Sequence, residues 1–190
     1  MKLKELYQKE VLPSLKKEFG YKNILAVPQI KKATINVGLS RNFKDKEFVE
    51  EVQKNLEQIA GQKPVLTKAR KSVSSFKIRA GMFIGVKVTL RGSKMYDLVD
   101  RLIHVVFPRV RDFRGISEKC VDTNGNLSIG FNDVLAFPEL EVQNIKHPHG
   151  LEICISTTAK TKEEGVELFR KLGFPFKESM GEKGPQTKKK

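Results

Sequence analysis

Cysteine and tryptophan are the residues that this 190-residue chain most lacks, with two cysteines and no tryptophan. The two thiols, Cys120 and Cys154, form no CxxC pair, so neither a disulfide framework nor a cysteine-based metal site is expected. No stretch approaches the roughly 18 apolar residues of a membrane-spanning helix. The first twenty residues read as an amphipathic helix without the apolar core of a signal peptide. We therefore expect a cytoplasmic protein with no membrane partner.

Motifs of the common enzyme classes are also missing. The sequence has no P-loop, no GxGxxG that opens a helix after a strand, no HExxH and no GxSxG. Its three histidines are His104, which we expect in the core or at its boundary, and the pair His147 and His149, which lacks a third metal ligand. We therefore predict no enzymatic activity, no metal and no cofactor.

Acidic residues are absent from one long internal segment. Residues 61–94 contain nine lysines and arginines and no aspartate or glutamate, within a chain of net charge +14. The preceding segment, residues 44–60, carries five acids against three lysines. Such segregated positive charge indicates a polyanionic partner, with nucleic acid ahead of an anionic membrane. The alternatives at this point are a merely soluble basic protein and a solvated basic sheet face.

Hydrophobic periodicity predicts an α+β fold. Apolar residues recur with helical spacing over residues 3–19, 44–60, 94–107 and 161–172, although Pro13 argues against the first helix and Pro108 is expected to stop the third. Alternation predicts strands over residues 30–37, 65–69, 83–91, 127–131 and 151–157. We expect a mostly antiparallel sheet with helices packed on one face and an open basic face for RNA.

The alternating strands indicate which side chains form that open face. Lys32, Thr34, Asn36 and Gly38 alternate with the apolar residues of the first strand, and Gly85, Lys87, Thr89 and Arg91 do so in residues 83–91. Cations neutralise phosphates, and hydroxyl and amide groups bond to phosphates, sugars and base edges. The face therefore suits a sugar–phosphate backbone.

Four segments together resemble a known family. "GQKPVLTKARKSVSSFKIRAGMFIGVKVTLRG" (61–92), "PRVRDFRGIS" (108–117), "FPE" (137–139) and "STTAKTKEEG" followed by "LGFPF" (156–176) occur in one order and spacing. They resemble the bacterial ribosomal protein family known as large-subunit protein five, which binds 5S rRNA in the central protuberance. The resemblance covers nearly the whole chain. It implies a single ribosomal-protein domain over residues 1–176 with an extended loop at 70–81. Residues 177–190 extend beyond the usual end of the family, and their composition predicts a disordered basic tail.

The resemblance also implies partners in the large ribosomal subunit. These are 5S rRNA, a nearby 23S rRNA helix, peptidyl-site tRNA, small-subunit ribosomal protein thirteen across an intersubunit bridge, and neighbouring large-subunit proteins. Residues expected to face rRNA are Lys32, Thr34, Asn36, Gly38, Lys63, Thr67, Lys68, Lys87, Thr89 and Arg91. The tRNA-contacting loop carries Arg70, Lys71, Ser72, Ser74, Ser75, Lys77 and Arg79. The bridge segment carries Arg109, Arg111, Asp112 and Arg114.

Two local departures from the family accompany this resemblance. Asn132 and Asp133 stand where related sequences carry a longer charged side chain, and the 147–149 segment replaces a more basic stretch. A general nucleic-acid-binding or chaperone protein that uses the same basic face remains the alternative function. An RNA-processing enzyme would need a carboxylate or histidine cluster in residues 61–94, which contain neither.

Overall fold

Five antiparallel strands form the centre of the molecule. The computed structural model describes residues 3–39, 45–140 and 145–177. The strands are β1 (Ile30–Gly38), β2 (Val65–Lys68), β3 (Phe83–Leu90), β4 (Leu127–Phe131) and β5 (Leu151–Thr157), and they lie in the order β2-β3-β1-β5-β4. Every neighbouring pair is antiparallel. The predicted α+β class and the predicted strands are confirmed, and no strand boundary differs by more than a residue from the predicted one.

One face of this sheet forms one side of the hydrophobic core. Ala33, Ile35 and Val37 of β1 are buried, as are Val86, Val88 and Leu90 of β3 and Ile153 and Ile155 of β5. The register pairs Ile35 with Val88 on one side and with Ile153 on the other, so these side chains lie in one row. Because strand side chains alternate between faces, the residues between them lie on the opposite, open face.

Four helices cover the core face. Helix α1 spans residues 3–18 and helix α3 spans residues 92–109; α2 is Lys46–Ala60 and α4 is Lys162–Lys171. Leu15, Leu56, Leu98 and Phe169, one from each helix, are fully buried in the same cluster as the strand residues. Lys44, which the sequence placed in the second helix, lies outside the described residues.

Two helices run through prolines that were expected to interrupt them. Helix α1 contains a π-helical turn at Tyr7–Val11 just before Pro13, and α3 contains one at Leu102–Val106 just before Pro108. In these turns the Leu12 N–H donates to the Tyr7 carbonyl and the Phe107 N–H donates to the Leu102 carbonyl, five residues back. A proline lacks an N–H and its ring clashes with the carbonyl four residues back. The π-helical turn before each proline is wider than an α-helical turn and moves the carbonyl that the proline ring would otherwise meet. The two helices therefore continue to Glu18 and Arg109.

Side-chain and backbone caps fix the ends of α2 and α4. Asp45 accepts from the Glu47 N–H at 3.0 Å, and Gly61 ends α2 in the left-handed conformation with φ 59°. Thr161 accepts from the Glu164 N–H at 3.3 Å, as its capping-box spacing predicted. Glu164 itself accepts from the Lys160 N–H and from the Tyr21 hydroxyl, so this carboxylate also joins α4 to the end of α1.

The last described residues are held by the segment that follows α3. The Lys177 N–H donates to the Ile116 carbonyl at 2.9 Å, and the Ile116 N–H donates to the Pro175 carbonyl at 2.7 Å. Apart from Lys177, the predicted tail at 177–190 lies outside the described residues. The single-domain boundary at residue 176 stays a prediction.

Candidate nucleic-acid interface

Three strands bring the predicted rRNA-facing residues together on the open face. Asn36 is paired with Lys87, Thr34 with Thr89 and Gly38 with Gly85 across β1 and β3. Thr67 of β2 is paired with Gly85. The open-face residues of the five strands are Lys32, Thr34, Asn36, Gly38, Val65, Thr67, Phe83, Gly85, Lys87, Thr89, Ser128, Gly130, Glu152, Cys154 and Ser156. We call this set the open face.

Further cations border the open face. Lys63 and Arg91 are exposed just outside β2 and β3. The register shift between Thr67 and Lys68 places Lys68 opposite Phe83, with the Lys68 Nζ 5.5 Å from the centre of the Phe83 ring. This cation–π contact holds the Lys68 charge at the edge of the sheet. All ten residues predicted to face rRNA therefore lie on the open face or at its border.

Gly85 keeps the open face flat where β2, β3 and β1 meet. A Cβ at this position would lie 2.8 Å from the Thr67 Oγ1 and 3.1 Å from the Val37 carbonyl oxygen. The missing side chain therefore lets Thr67 and the β1 backbone pack closely above β3.

Strands β4 and β5 complete the open face, and this half was missed by the sequence analysis. Cys154 of β5 is paired with Thr34 of β1 and with Ser128 of β4, and the Ser128 Oγ lies 3.6 Å from the Cys154 Sγ. Glu152 is paired with Asn36 and with Gly130. The alternation in β5 predicted which residues would face away from the core, but not that β5 would lie beside β1.

The predicted loop at 70–81 is a β-hairpin extension with internal hydrogen bonds. The Ala69 N–H donates to the Met82 carbonyl at 2.8 Å, and Val73 pairs with Ile78. Ser72 Oγ accepts from the Ala80 N–H at 2.9 Å. The loop connects β2 to β3, so it projects from the end of the sheet that carries Gly38 and Phe83.

The apex of this loop carries an exposed aromatic ring, and the cations of the loop are exposed as well. Ser74–Phe76 form a 3-10 turn, and Lys77 follows in the left-handed conformation with φ 55°. Phe76 is 71% exposed. The predicted loop residues Arg70, Lys71, Ser72, Ser74, Ser75, Lys77 and Arg79 are all exposed. The apex can therefore offer positive charge, hydroxyl groups and a stacking surface to one partner.

The predicted bridge segment forms a separate surface at the end of α3. Arg109, Arg111, Asp112 and Arg114 are all exposed. Phe113 stacks on Phe107 at 5.1 Å, and this contact anchors the turn to the core. Asp112 adopts a left-handed conformation with φ 52° within this turn. These residues are not part of the open face.

The histidines take structural roles. His147 Nδ1 lies 2.9 Å from the Glu51 Oε2, and His149 is buried with its ring edge-on to Phe48. His104 is exposed and pairs with Asp100, so the expectation that it lies in the core or at its boundary was wrong. The His104 side chain lies on the solvent-exposed side of α3, although the neighbouring residues in the sequence are apolar. Over the described ranges, no three His, Cys, Asp or Glu side chains are grouped as a metal site would require.

The Glu51 carboxylate joins α2 to the segment before β5. Desolvation by burial would raise the pKa of Glu51, but hydrogen bonds from the His147 ring and from the backbone N–H groups of His147 and Lys146 outweigh it and lower this pKa below its usual value. The Lys146 and His147 N–H groups donate to the Glu51 Oε1 at 2.8 Å and 3.2 Å. The 147–149 segment is thus packed against α2.

No described helix combines the length and the apolar character needed to cross a membrane.

Family models match most of the chain. A model described as "Ribosomal protein L5" matches residues 23–79, and a second model, which describes the C-terminus of the same ribosomal protein family, matches residues 83–176. A "Large ribosomal subunit protein uL5" from Solibacter usitatus is 48% identical over 177 residues, which are 93% of this chain and 98% of that protein. The protein of the same name from Fervidobacterium nodosum is 51% identical over 175 residues, 92% of this chain and 95% of that protein. The one from Desulforamulus reducens is 50% identical over 175 residues, with 92% and 97% covered.

These matches confirm the resemblance that the sequence motifs carried. Both family models describe ribosomal proteins, which are structural and not enzymatic, so the prediction that the protein is not an enzyme agrees with its relatives. The chain belongs to the ribosomal protein L5 family.

Proposed function

We propose that this protein binds 5S rRNA through its open face and helps to attach that RNA to the large ribosomal subunit, in the cytoplasm. The observation that carries the proposal is the register that places Lys87, Asn36, Thr34 and Thr89 side by side, on the face opposite the one that the described helices cover. Its relatives named as large-subunit proteins support the ribosomal setting. A 23S rRNA helix and neighbouring large-subunit proteins are further proposed partners of the protein.

Binding on this face combines charge with shape. Lys32, Lys87 and Arg91 neutralise phosphates, and the hydroxyl and amide groups of Thr34, Thr89 and Asn36 bond to riboses, phosphates and base edges. The small residues Ser128 and Gly130 keep the β4 edge of the face shallow. An irregular RNA surface can therefore approach the whole width of the sheet.

The specificity of this binding is tested with two RNAs of equal length. Purified protein is titrated into labelled 5S rRNA and into an unrelated structured RNA, with duplex DNA as competitor. We expect 5S rRNA to bind more tightly than either alternative by at least about 1,000-fold, because specific sites exceed non-specific ones by that factor or more. Equal affinity for all three nucleic acids would instead favour a general nucleic-acid-binding or chaperone protein.

The hairpin loop at 70–81 is proposed to contact peptidyl-site tRNA. Support comes from its position, because it projects from the end of the sheet that carries Gly38 and Phe83 and lies outside the strands that form the open face. Its cations suit a phosphate backbone, and the exposed Phe76 ring offers a face for an unstacked base.

The bridge segment is proposed to meet small-subunit ribosomal protein thirteen. Its three exposed arginines lie on a turn that Phe113 fixes to the core, and none of them belongs to the five strands that form the open face. Replacing Arg109, Arg111 and Arg114 with glutamine is expected to weaken subunit association in sucrose gradients while 5S rRNA binding stays unchanged. Unchanged association of the ribosomal subunits would contradict the assignment of this segment to the intersubunit bridge.

A further inference from the structure

The open face contains one acidic residue where an RNA-binding surface would be expected to have none. Glu152 is the only aspartate or glutamate in the five strands, all of which the structure describes. It is exposed and lies on the same side of the sheet as Lys87 and Asn36. No ion pair joins it to a lysine, arginine or histidine of the described residues. A carboxylate in this position repels phosphate, so a contact of another kind must account for it.

The neighbours of Glu152 leave its carboxylate free to meet a ligand. Asn36 stands directly beside it on β1, with Cβ atoms about 5 Å apart for such a pair, and Gly130 stands beside it on β4. A Cβ at Gly130 would meet nothing within 4 Å, so the space on that side is open. Lys87 is two strands away, at roughly 10 Å by the ordinary strand spacing, beyond the Asn36 side chain.

We propose that Glu152 reads the base edge of an unpaired guanine in the rRNA. A carboxylate only accepts hydrogen bonds, and its two oxygens match two parallel donors. Among the four bases, guanine presents two adjacent donors on its Watson–Crick edge, N1–H and the N2 amino group. Unpaired bases in RNA loops are recognised on this edge.

The neighbouring side chains complete the recognition of this base. The amide of Asn36 can donate to guanine O6, which lies next to N1–H on the same edge. Lys87, on the far side of Asn36, is placed to meet a phosphate of the same RNA. The row Lys87, Asn36, Glu152 thus supplies a cation, a donor and an acceptor in that order. The inference rests on the proposed function, because it requires RNA on the open face.

The test replaces Glu152 with its isosteric amide. Glu152→Gln keeps the shape of an exposed side chain and removes the second acceptor oxygen. Affinity for 5S rRNA is expected to fall about tenfold, in the range of one lost bidentate base contact. Affinity for an unrelated RNA is expected to stay the same or to rise, since a negative charge is removed. Glu57→Gln, at an exposed position of α2 on the other side of the sheet, is the matched charge control.

Chemical probing gives the second readout. Kethoxal reacts with N1 and N2 of unpaired guanine, so at saturating protein the wild type is expected to protect one guanine that Glu152→Gln leaves reactive. Equal or tighter 5S rRNA binding by Glu152→Gln, or an unchanged pattern of protected guanines, would overturn the proposal. Lys87→Gln distinguishes this failure from failure of the proposed function. If Lys87→Gln also leaves 5S rRNA binding unchanged, RNA does not lie on the open face at all.

Discussion

Removing charge from the open face should change how RNA binding responds to salt. The perturbation is the triple substitution Lys32→Gln, Lys87→Gln and Arg91→Gln. These three cations lie on β1, on β3 and at the end of β3. Each is on the predicted rRNA surface, and none forms an ion pair within the described chain. Folding should therefore tolerate their loss, which circular dichroism can verify.

The magnitude follows from counterion release. Each neutralised phosphate contributes about 0.7 to 0.9 to the slope of log K against log salt, so three lost contacts should reduce the slope by about 2 to 3. At about 0.1 M salt this corresponds to a loss of roughly 100- to 500-fold in affinity for 5S rRNA, and the two titrations should converge towards about 1 M.

The control carries the same change in net charge on a different surface. Arg70→Gln, Lys71→Gln and Arg79→Gln remove three exposed cations from the hairpin loop. Fluorescence anisotropy with labelled 5S rRNA, over about 0.05 to 0.5 M potassium chloride, gives both slopes. The loop variant should match the wild type. Equal losses for the two variants would mean that only net charge matters, and the division of the basic segment into a sheet face and a loop would be wrong.

Three further predictions concern the loop, the core and a pH-dependent contact. The same loop variant should weaken peptidyl-site tRNA binding on assembled ribosomes in a filter assay, and unchanged tRNA binding would contradict the loop assignment. Gly165→Ala should lower the free energy of unfolding in urea by about 1–2 kcal/mol, because the new methyl overlaps the backbone of Gly125 and the cost of overpacking exceeds the gain in helix propensity. Gly38→Ala is its control, because a Cβ at Gly38 would meet no atom within 4 Å. Equal losses of stability in the two variants would refute the packing argument. Glu51→Gln should lower the free energy of unfolding by about 1 kcal/mol at neutral pH, because the charge-assisted hydrogen bond between the carboxylate and His147 is lost. The pKa of Glu51 is lower in the folded state, so the ionised carboxylate stabilises the fold above the unfolded pKa of 4.5, and this stabilisation is lost as the pH falls through the folded pKa. A difference in unfolding free energy between wild type and variant that persists at low pH would contradict this.

Strand alternation was sufficient to predict which side chains of β1 and β3 lie on each face of the sheet. The period of two in β1 and β3 separated Val86 and Val88 from Lys87 and Thr89, and in the structure the two valines are buried, Lys87 is exposed and Thr89 is half-buried. This works because one face of an antiparallel sheet must pack on helices and each side chain has only two directions available.

The order of the strands could not be obtained in this way. Alternation in β5 is the same whichever strand lies beside it, and the pairing with β1 depends on how the helices pack over the core face. In the sequence, Glu152 lies far from the basic segment at residues 61–94, and alternation alone does not place the two on one face. Only the register with Asn36 shows that it lies among the open-face residues.

The prolines failed as helix-breaking signals for a related reason. Local propensity treats Pro13 and Pro108 as interruptions. Each follows a π-helical turn, and the buried residues on both sides, such as Val11 and Leu15, hold the helix against the core. Tertiary packing decided the outcome, as it commonly does when propensity and burial disagree.

Affinity and selectivity have different sources on the proposed open face. The cations attract any polyanion, and their contribution falls with salt in the same way for every RNA. A surface made only of such groups would bind unrelated RNAs almost equally well. On our proposal, Glu152 adds a penalty that every RNA incurs unless a guanine edge is placed against the carboxylate, because an unmatched charge then faces phosphate or an acceptor. Discrimination of this kind comes from the cost imposed on wrong partners as much as from the bonds made to the right one. Replacing the carboxylate should therefore reduce the difference in affinity between 5S rRNA and other RNAs, because 5S rRNA binds more weakly and unrelated RNAs bind equally well or more tightly.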